Sequence, residues 1–583
     1  MANYKDSLVP FKRSSFFNKE NNLTFIGDGE TGGKANGLLL INKILQKDLE
    51  RTMFQEFDIS VPNLCIIRTG VFEAFMQRNN LYKTALSKLP DDRIAHAFQK
   101  AELPFEILGD LRSLISQVHS PLAIRSSSML EDAKDEPFAG IYETKMTPNN
   151  QADISSRFKK LVEAIKFVYA STFFKVAKDY MKATNYKTED ERMAVIIQEV
   201  VGTQNDNLFY PHVSGVARSY NYYSFGNSKP KDGVVNLALG LGKTIVENEP
   251  TWFFAPTFPK ADPPFNSIGE MMKNTQNGFW AVNMSNISTY DPIKETEFLV
   301  QSNIDVAEKH GTLKNLVSTF NSDSGMVIMG AGKPGPRILT FAPLLRLGEI
   351  RLTELIMHLI KISEEAIKNP VEIEFALTLG ETGVHKFGFL QVRPMNVSDE
   401  KVSVEIDELT GENILCSSQT VLGNGTNNTI TDIIYLKKTD FDAGTAHKIA
   451  SEIESLNNQY IDQNKNYLLL GFGRWGTSDA WAGIPINFGQ ISKASVIVEA
   501  PMHGMNSEPS QGSHFFHNLS AFNIMYFSIP YSEQYPVDWE WLKQIEPVYE
   551  TDNIVQLKLP HPLFIKVDGE SGRGFVKKTK LTT

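Results

Sequence analysis

The sequence predicts a mixed α/β (α+β) chain built from more than one domain, and three observations carry that expectation. With 583 residues, 42% hydrophobic and 22% charged, the chain is too long for one core. From residue 1 to about 200, short apolar strand-like runs alternate with helical periodicity, whereas strand-like runs dominate from about 201 to 397. Near 371–393, two strand-like runs flank LTLGETGVHK, a turn-rich β-hairpin signal.

Taken in order, Leu64 to Ile67 reads as a strand, Val71 to Gln77 as a helix and Leu122 to Arg125 as a strand. In Phe158 to Met181, Leu161, Ala164, Ile165, Val168, Phe174 and Ala177 recur near helical spacing, so this is expected to be a packed helix with its aromatics in the core. Ser214 to Phe225 and Val234 to Leu239 read as strands, and Leu352 to Ile367 as a helix before the hairpin. Residues 251–300 have no clear period and give no functional reading. An acidic, polar stretch around 398–412 reads as a domain linker. The expected division is therefore 1–200, 201–397 and 398–583.

Composition narrows the function. A net charge of −10 and a pI near 5.7 provide no general basic footprint, so neither nucleic acid nor an anionic membrane is an expected partner. Only Cys65 and Cys416 occur, which fits a reducing compartment without a disulfide framework. The N-terminus lacks an apolar signal core and no window approaches 18 continuous apolar residues, so a cytoplasmic protein is expected.

Three segments carry phosphate chemistry. In LAIRSSSMLEDAKDEPFAGIYET (122–144), an apolar strand delivers Arg125, whose planar guanidinium can hold two phosphate oxygens; Ser126, Ser127 and Ser128 add hydroxyls, and Gly140 permits close backbone approach. In GGKANG, Gly32 and Gly33 precede a helical run, so backbone N–H groups and Lys34 would face an anion, although the Walker spacing is absent. In the hairpin, period-two alternation puts Glu372 with Glu374 and Gln391 with Arg393. An acid and an amide beside an arginine can hold Mg²⁺ against phosphate oxygens. Each segment alone also has an ordinary explanation: a serine-rich turn, a glycine turn, and a hairpin with a cross-strand Glu/Arg pair.

Together, these segments resemble the ATP-binding domain of the phosphoenolpyruvate synthase and pyruvate phosphate dikinase family. TGGKANGLLLI, VPNLCIIRTGVFEAFM, AIRSSSMLEDAKDEPFAGIYET, MAVIIQEVV, LALGLGK and IEFAL…FGFLQVRPM match its motifs in order across residues 22–397. The resemblance implies an ATP-grasp-like two-lobed domain followed by a smaller α/β domain. It implies ATP contacts from Lys34, Arg125, Gly140, Thr144, Gln198 and Arg393, with Mg²⁺ on Glu374 and Gln391. Arg125 and Arg393 would be catalytic through the charge they place on the phosphates, and Gln198 would read an adenine edge. Two departures are present: Lys243 stands where the family carries an acid, and the hairpin is longer than usual.

About 185 residues follow the hairpin, too few for a swivelling domain and a (β/α)₈ barrel of about 200–250 residues. The pyruvate-binding barrel is therefore expected to be absent. Ser495 to Ile529 resembles the family's strand, glycine loop, histidine, helix and strand, which implies His514 as a catalytic phosphoryl acceptor, with His517 on the same helical face. Phe515 and Phe516 replace the small residues usual after that histidine. GFGRWG (471–476) fits GxGxxG formally, but no helix follows; it reads as a tight aromatic turn, with Arg474, Trp475, Asp479 and Trp481 as candidate pocket residues. The expected activity is that of an ATP- and Mg²⁺-dependent phosphotransferase acting on an unknown small-molecule or protein acceptor. A direct kinase or ligase and a non-catalytic ATP-binding regulator are the alternatives.

Overall fold

The computed structural model describes residues 8–13, 22–131, 138, 140–184, 186–247, 249–261, 265, 267–287, 290–398, 400–437, 443–476, 483–500, 514–529 and 535–580. It contains helices and several sheets, as expected for a mixed α/β chain. The chain forms two compact units: one holds 1–178, 187–219 and 232–395, and the other holds 179–186, 220–231 and 396–583.

Two six-stranded sheets organise the first unit. One is ordered Val9–Pro10, Leu23–Ile26, Leu64–Ile67, Met193–Glu199, Leu122–Ser128 and Thr144–Thr147. The other is ordered Trp252–Phe254, Val234–Ala238, Val213–Arg218, Val371–Thr378, His385–Pro394 and Phe57–Ser60. The last of these pairs in parallel with the hairpin, Phe57 opposite His385 and Ser60 opposite Gly388, so an early piece of chain completes a sheet otherwise built from later residues.

Helix Gly33–Lys47 buries Leu38, Leu39, Ile41, Ile44 and Leu45 in a core shared with Phe57, Ile59, Phe375 and Val392. Leu352–Ile367 buries Leu352, Leu355, Ile356, Leu359 and Ile360, the recurrence that predicted it. The segment Phe158 to Met181 divides into Ile154–Ser171, capped by the Asp153 carboxylate on the Ser156 N–H, and Lys175–Ala183. Its Phe167, Tyr169, Phe173 and Phe174 are core.

The irregular 251–300 stretch contributes strands Trp252–Phe254, Gly278–Asn283 and part of Leu299–Asn303. The buried Lys145 ammonium donates to the carbonyls of Asp291 (3.4 Å), Pro292 (2.6 Å) and Lys294 (2.7 Å). Burial pushes that ammonium down to about 8. A lysine on one sheet thus ties down a loop that has no hydrophobic period of its own.

In the second unit, a seven-stranded sheet runs Val421–Leu422, Met525–Ser528, Ala494–Ala500, Tyr467–Phe472, Asp432–Leu436, Ile554–Lys558 and Pro547–Glu550; the second to fifth are mutually parallel. A four-stranded antiparallel sheet is formed by Ile414–Ser418, Arg573–Lys577, Phe564–Asp568 and Gly425–Asn427. The linker expectation around 398–412 needs correction: Val404 and Leu409 are buried with Tyr535 and Phe575. The Val404 N–H also donates to Asp568 Oδ2 at 3.2 Å and Glu408 pairs with Lys566 at 3.1 Å, so packing and polar contacts together hold this acidic stretch on the unit. Cys65 and Cys416 are buried free thiols, pushed up to about 12 by burial.

Candidate nucleotide site

Gly32 (φ +80°) and Gly33 lie directly on the serine strand: a Cβ on Gly32 would stand 1.8 Å from the Ser127 carbonyl oxygen, and one on Gly33 1.5 Å from that of Glu131. The Ala35 N–H, in the first helical turn where backbone donors lack a partner within the helix, donates to Ser127 Oγ at 3.0 Å, and Ser127 Oγ donates to the Thr31 carbonyl at 2.9 Å. Lys34 lies 2.7 Å from Glu131 Oε1 and donates to Ser126 Oγ at 3.1 Å. Glu131 is buried; it also accepts from Ser126 Oγ and the Ser128 N–H, each at 2.9 Å. The glycine turn and the RSSS strand are therefore one interlocked structure, with Glu131 its organising acid. Its role was not read from the sequence, although the ED pair after RSSS was the signal.

Arg125 gathers the remaining elements. Nη1 donates to Gln198 Oε1 at 3.2 Å and to the Leu390 carbonyl at 2.8 Å; Nη2 donates to Gln391 Oε1 at 2.8 Å and stands 3.8 Å from Glu374 Oε2. The register explains the carbonyl. It passes from Glu374–Gln391 to Phe375–Phe389, leaving Leu390 as the extra residue of a β-bulge. Gln198 is buried, and its Nε2 has no hydrogen-bond partner among the described residues.

Two residues along, Arg393 pairs with Glu372 across the hairpin, and Arg218 Nε reaches the other Glu372 oxygen at 2.5 Å. The cross-strand pair is thus present alongside the Glu374–Gln391 pair. Thr144 is opposite Arg125 in register and half-buried, and Gly140 occupies a turn at φ +66°.

Lys243 opens the short helix Lys243–Val246 and lies 2.6 Å from Glu247 Oε1, 3.6 Å from Glu295 Oε2 and 5.6 Å from the centre of the Trp280 ring. Burial opposes its charge, but Glu295, Glu247 and Glu143 outweigh that and raise its pKa. Glu143 is pushed up to about 7 by burial and by the Glu295 charge, with Lys243 opposing. The lysine that reverses the expected charge is therefore surrounded by three acids.

In the second unit, helix His514–Ala521 precedes strand Met525–Ser528, which is parallel to Ala494–Ala500. The glycine loop at 501–513 and the side chains of His514 and His517 lie outside the described residues, as do Asp479 and Trp481. Gly471 and Phe472 end strand Tyr467–Phe472, Gly473 (φ +69°) follows, and Arg474 and Trp475 form a short strand paired in parallel with Gly483–Ile484, so most of GFGRWG is strand and the chain changes direction at Gly473. Among the described residues no cluster of three or more His, Cys, Asp or Glu could hold a metal, and no helix is long and apolar enough to cross a membrane.

Comparison with known proteins gives this geometry a family. Over 343 residues the chain is 24% identical to the uncharacterized phosphotransferase YvkC of Bacillus subtilis, covering 59% of this chain and 32% of that protein. Over 125 residues it is 26% identical to the probable phosphoenolpyruvate synthase of Archaeoglobus fulgidus, covering 21% of this chain and 14% of that protein. The chain thus spans a third or less of these curated relatives. The family model described as pyruvate phosphate dikinase, AMP/ATP-binding domain, matches residues 29–413, about two thirds of the chain and every element that meets at Arg125. The chain belongs to the pyruvate phosphate dikinase AMP/ATP-binding domain family.

Proposed function

We propose that the first unit is an ATP-grasp-like domain that binds ATP between its two six-stranded sheets, and that the chain is an ATP- and Mg²⁺-dependent phosphotransferase of the phosphoenolpyruvate synthase and pyruvate phosphate dikinase type. The observation that carries this reading is the convergence on one guanidinium of Gln198, Leu390, Gln391 and Glu374. Lys34, Arg125 and Arg393 neutralise phosphate charge, Thr144 and the Gly140 turn approach the phosphates, and the unpartnered Gln198 Nε2 donates to the adenine edge. The Glu374 carboxylate and the Gln391 amide oxygen are a hard-oxygen pair of the kind that holds Mg²⁺ together with substrate phosphates, and the ion would neutralise phosphate charge there. The names of the two relatives support phosphoryl transfer.

His514 at the start of its helix is the proposed acceptor, where helix N–H groups would stabilise the phosphorylated ring. Phe515 and Phe516 favour a second reading, direct transfer to a small acceptor. Incubation with γ- and β-labelled ATP separates them. Base-stable, acid-labile label on the wild type that is lost in His514→Asn supports the histidine route. Phosphoryl turnover without protein label supports direct transfer, and neither ATP binding nor turnover defeats both. A soluble cytoplasmic location accords with this chemistry.

A further inference from the structure

The hydroxyls that follow Arg125 look like phosphate donors in the sequence, yet Ser126, Ser127 and Ser128 are each 0% exposed. All three are engaged inside the protein. Ser127 Oγ joins the Ala35 N–H to the Thr31 carbonyl. Ser128 Oγ accepts from the Leu130 and Glu131 N–H groups at 3.2 and 3.1 Å, and the turn so formed carries the Glu131 carboxylate back to Ser126 Oγ and the Ser128 N–H.

Lys34, Ser126 and Glu131 thereby close a ring. The ammonium stands 2.7 Å from Glu131 Oε1 and 3.1 Å from Ser126 Oγ, and that hydroxyl donates to the same Oε1 at 2.9 Å. The partners of Glu131 among the described residues, an ammonium, a hydroxyl and a backbone N–H, are all donors. A group that only accepts is needed there, and an amide would set an NH2 against one of them. Glu131 is buried at 1% side-chain exposure, whereas the Lys34 side chain is 12% exposed, so within the ring the lysine is the member that reaches solvent.

An ammonium carries three N–H bonds. Two of those of Lys34 are directed by Glu131 and Ser126, which fixes the direction of the third. A loose lysine gives up rotamer freedom when it closes on a ligand; Lys34 has already given it up in the folded chain.

We propose that Glu131 is a positioning residue of the nucleotide site. Together with Ser126 it holds Lys34 in the pose in which the third N–H meets a phosphate oxygen, and it acts on ATP through that lysine alone. The inference rests on the nucleotide reading and adds to it the acid and the hydroxyl that orient the lysine without touching the ligand.

Equilibrium dialysis of the full chain with ATP and with adenosine tests this, because the ratio of the two affinities isolates the phosphate contacts. Lys34→Met should lower that ratio by about tenfold or more. Glu131→Asp, which keeps the charge pair on a shorter side chain, should lower it by about threefold or more while adenosine affinity changes by less than about twofold. With Lys34→Met already present, Glu131→Asp should change the ratio by less than about twofold, a dependence on the lysine that a general structural role would not produce. If Glu131→Asp fails to fold, Ser126→Ala, which removes the second partner of the ammonium and keeps the buried pair, decides by the same criteria. An unchanged ratio in Lys34→Met or in Glu131→Asp, or an equal loss with and without Lys34, overturns the proposal while wild-type ATP binding preserves the nucleotide reading. Failure of the wild type to bind ATP overturns both.

Discussion

Arg125 Nη1 donates to the carbonyl of Leu390 at 2.8 Å, joining residues 265 positions apart. Leu390 is the bulged residue of the hairpin, so its carbonyl is available to a guanidinium from the other sheet. That contact, together with Nη2 to Gln391, places Glu374 and Gln391 relative to the serine strand before any ligand enters.

Arg125→Ala should therefore raise the Kd for ATP more than tenfold, a loss of about 2–5 kcal/mol. Arg125→Lys should rescue little, because a point charge cannot serve Gln198, Leu390 and Gln391 together. Titration calorimetry checks both; an unchanged Kd in either variant counts against the site.

Glu374→Ala should keep most metal-free nucleotide affinity while losing Mg²⁺-dependent turnover, since the arginines still hold phosphate. Equal turnover of variant and wild type at saturating Mg²⁺ would contradict the metal role.

Gly33→Ala should destabilise the first unit by about 3 kcal/mol or more, because its Cβ would meet the Glu131 carbonyl oxygen at 1.5 Å. Gly269→Ala, exposed in helix Ile268–Lys273 with Ser267 Oγ at 3.8 Å as its nearest neighbour, should instead stabilise by about 0.5–1 kcal/mol. Opposite signs in thermal melts are the expected outcome.

Lys243→Glu should add a fourth carboxylate to Glu143, Glu247 and Glu295, costing on the order of 1–3 kcal/mol. The deficit should be larger at pH 8 than at pH 5, where the acids are more protonated. Melts at the two pH values test this.

Glu191 is buried, and burial pushes its pKa from 4.5 up to about 7. The folded protein thus binds more protons than the unfolded one between those values, so stability from this group falls as pH rises through the window and levels off above 7. The stability of Glu191→Gln relative to wild type should rise by about 3 kcal/mol between pH 4 and 8. Denaturant titrations at both ends measure it; a constant difference would refute the shift.

What the sequence disclosed was local. Gln391 and Arg393 stood out through the period-two alternation of the hairpin, Gln198 through the motif resemblance, and the helix over 352–367 because its period survives without context. Other features are properties of pairs distant in the chain. The Leu390 bulge needs the register with Glu374, the role of Glu131 needs Lys34 nearly a hundred residues earlier, and the 251–300 region takes part of its order from Lys145. Acidic character suggested a free linker near 404, where two buried side chains decide otherwise.

The parallel pairing of Phe57–Ser60 with His385–Pro394 has a consequence for synthesis. At about 5–20 residues per second, the strand waits tens of seconds after leaving the ribosome before its partner is made. During that interval Phe57 and Ile59, both buried in the finished fold, lack the strand they pair with. A nascent chain stalled before residue 385 should accordingly be a preferred client for chaperones that recognise short apolar strands, and release from them should coincide with emergence of the hairpin.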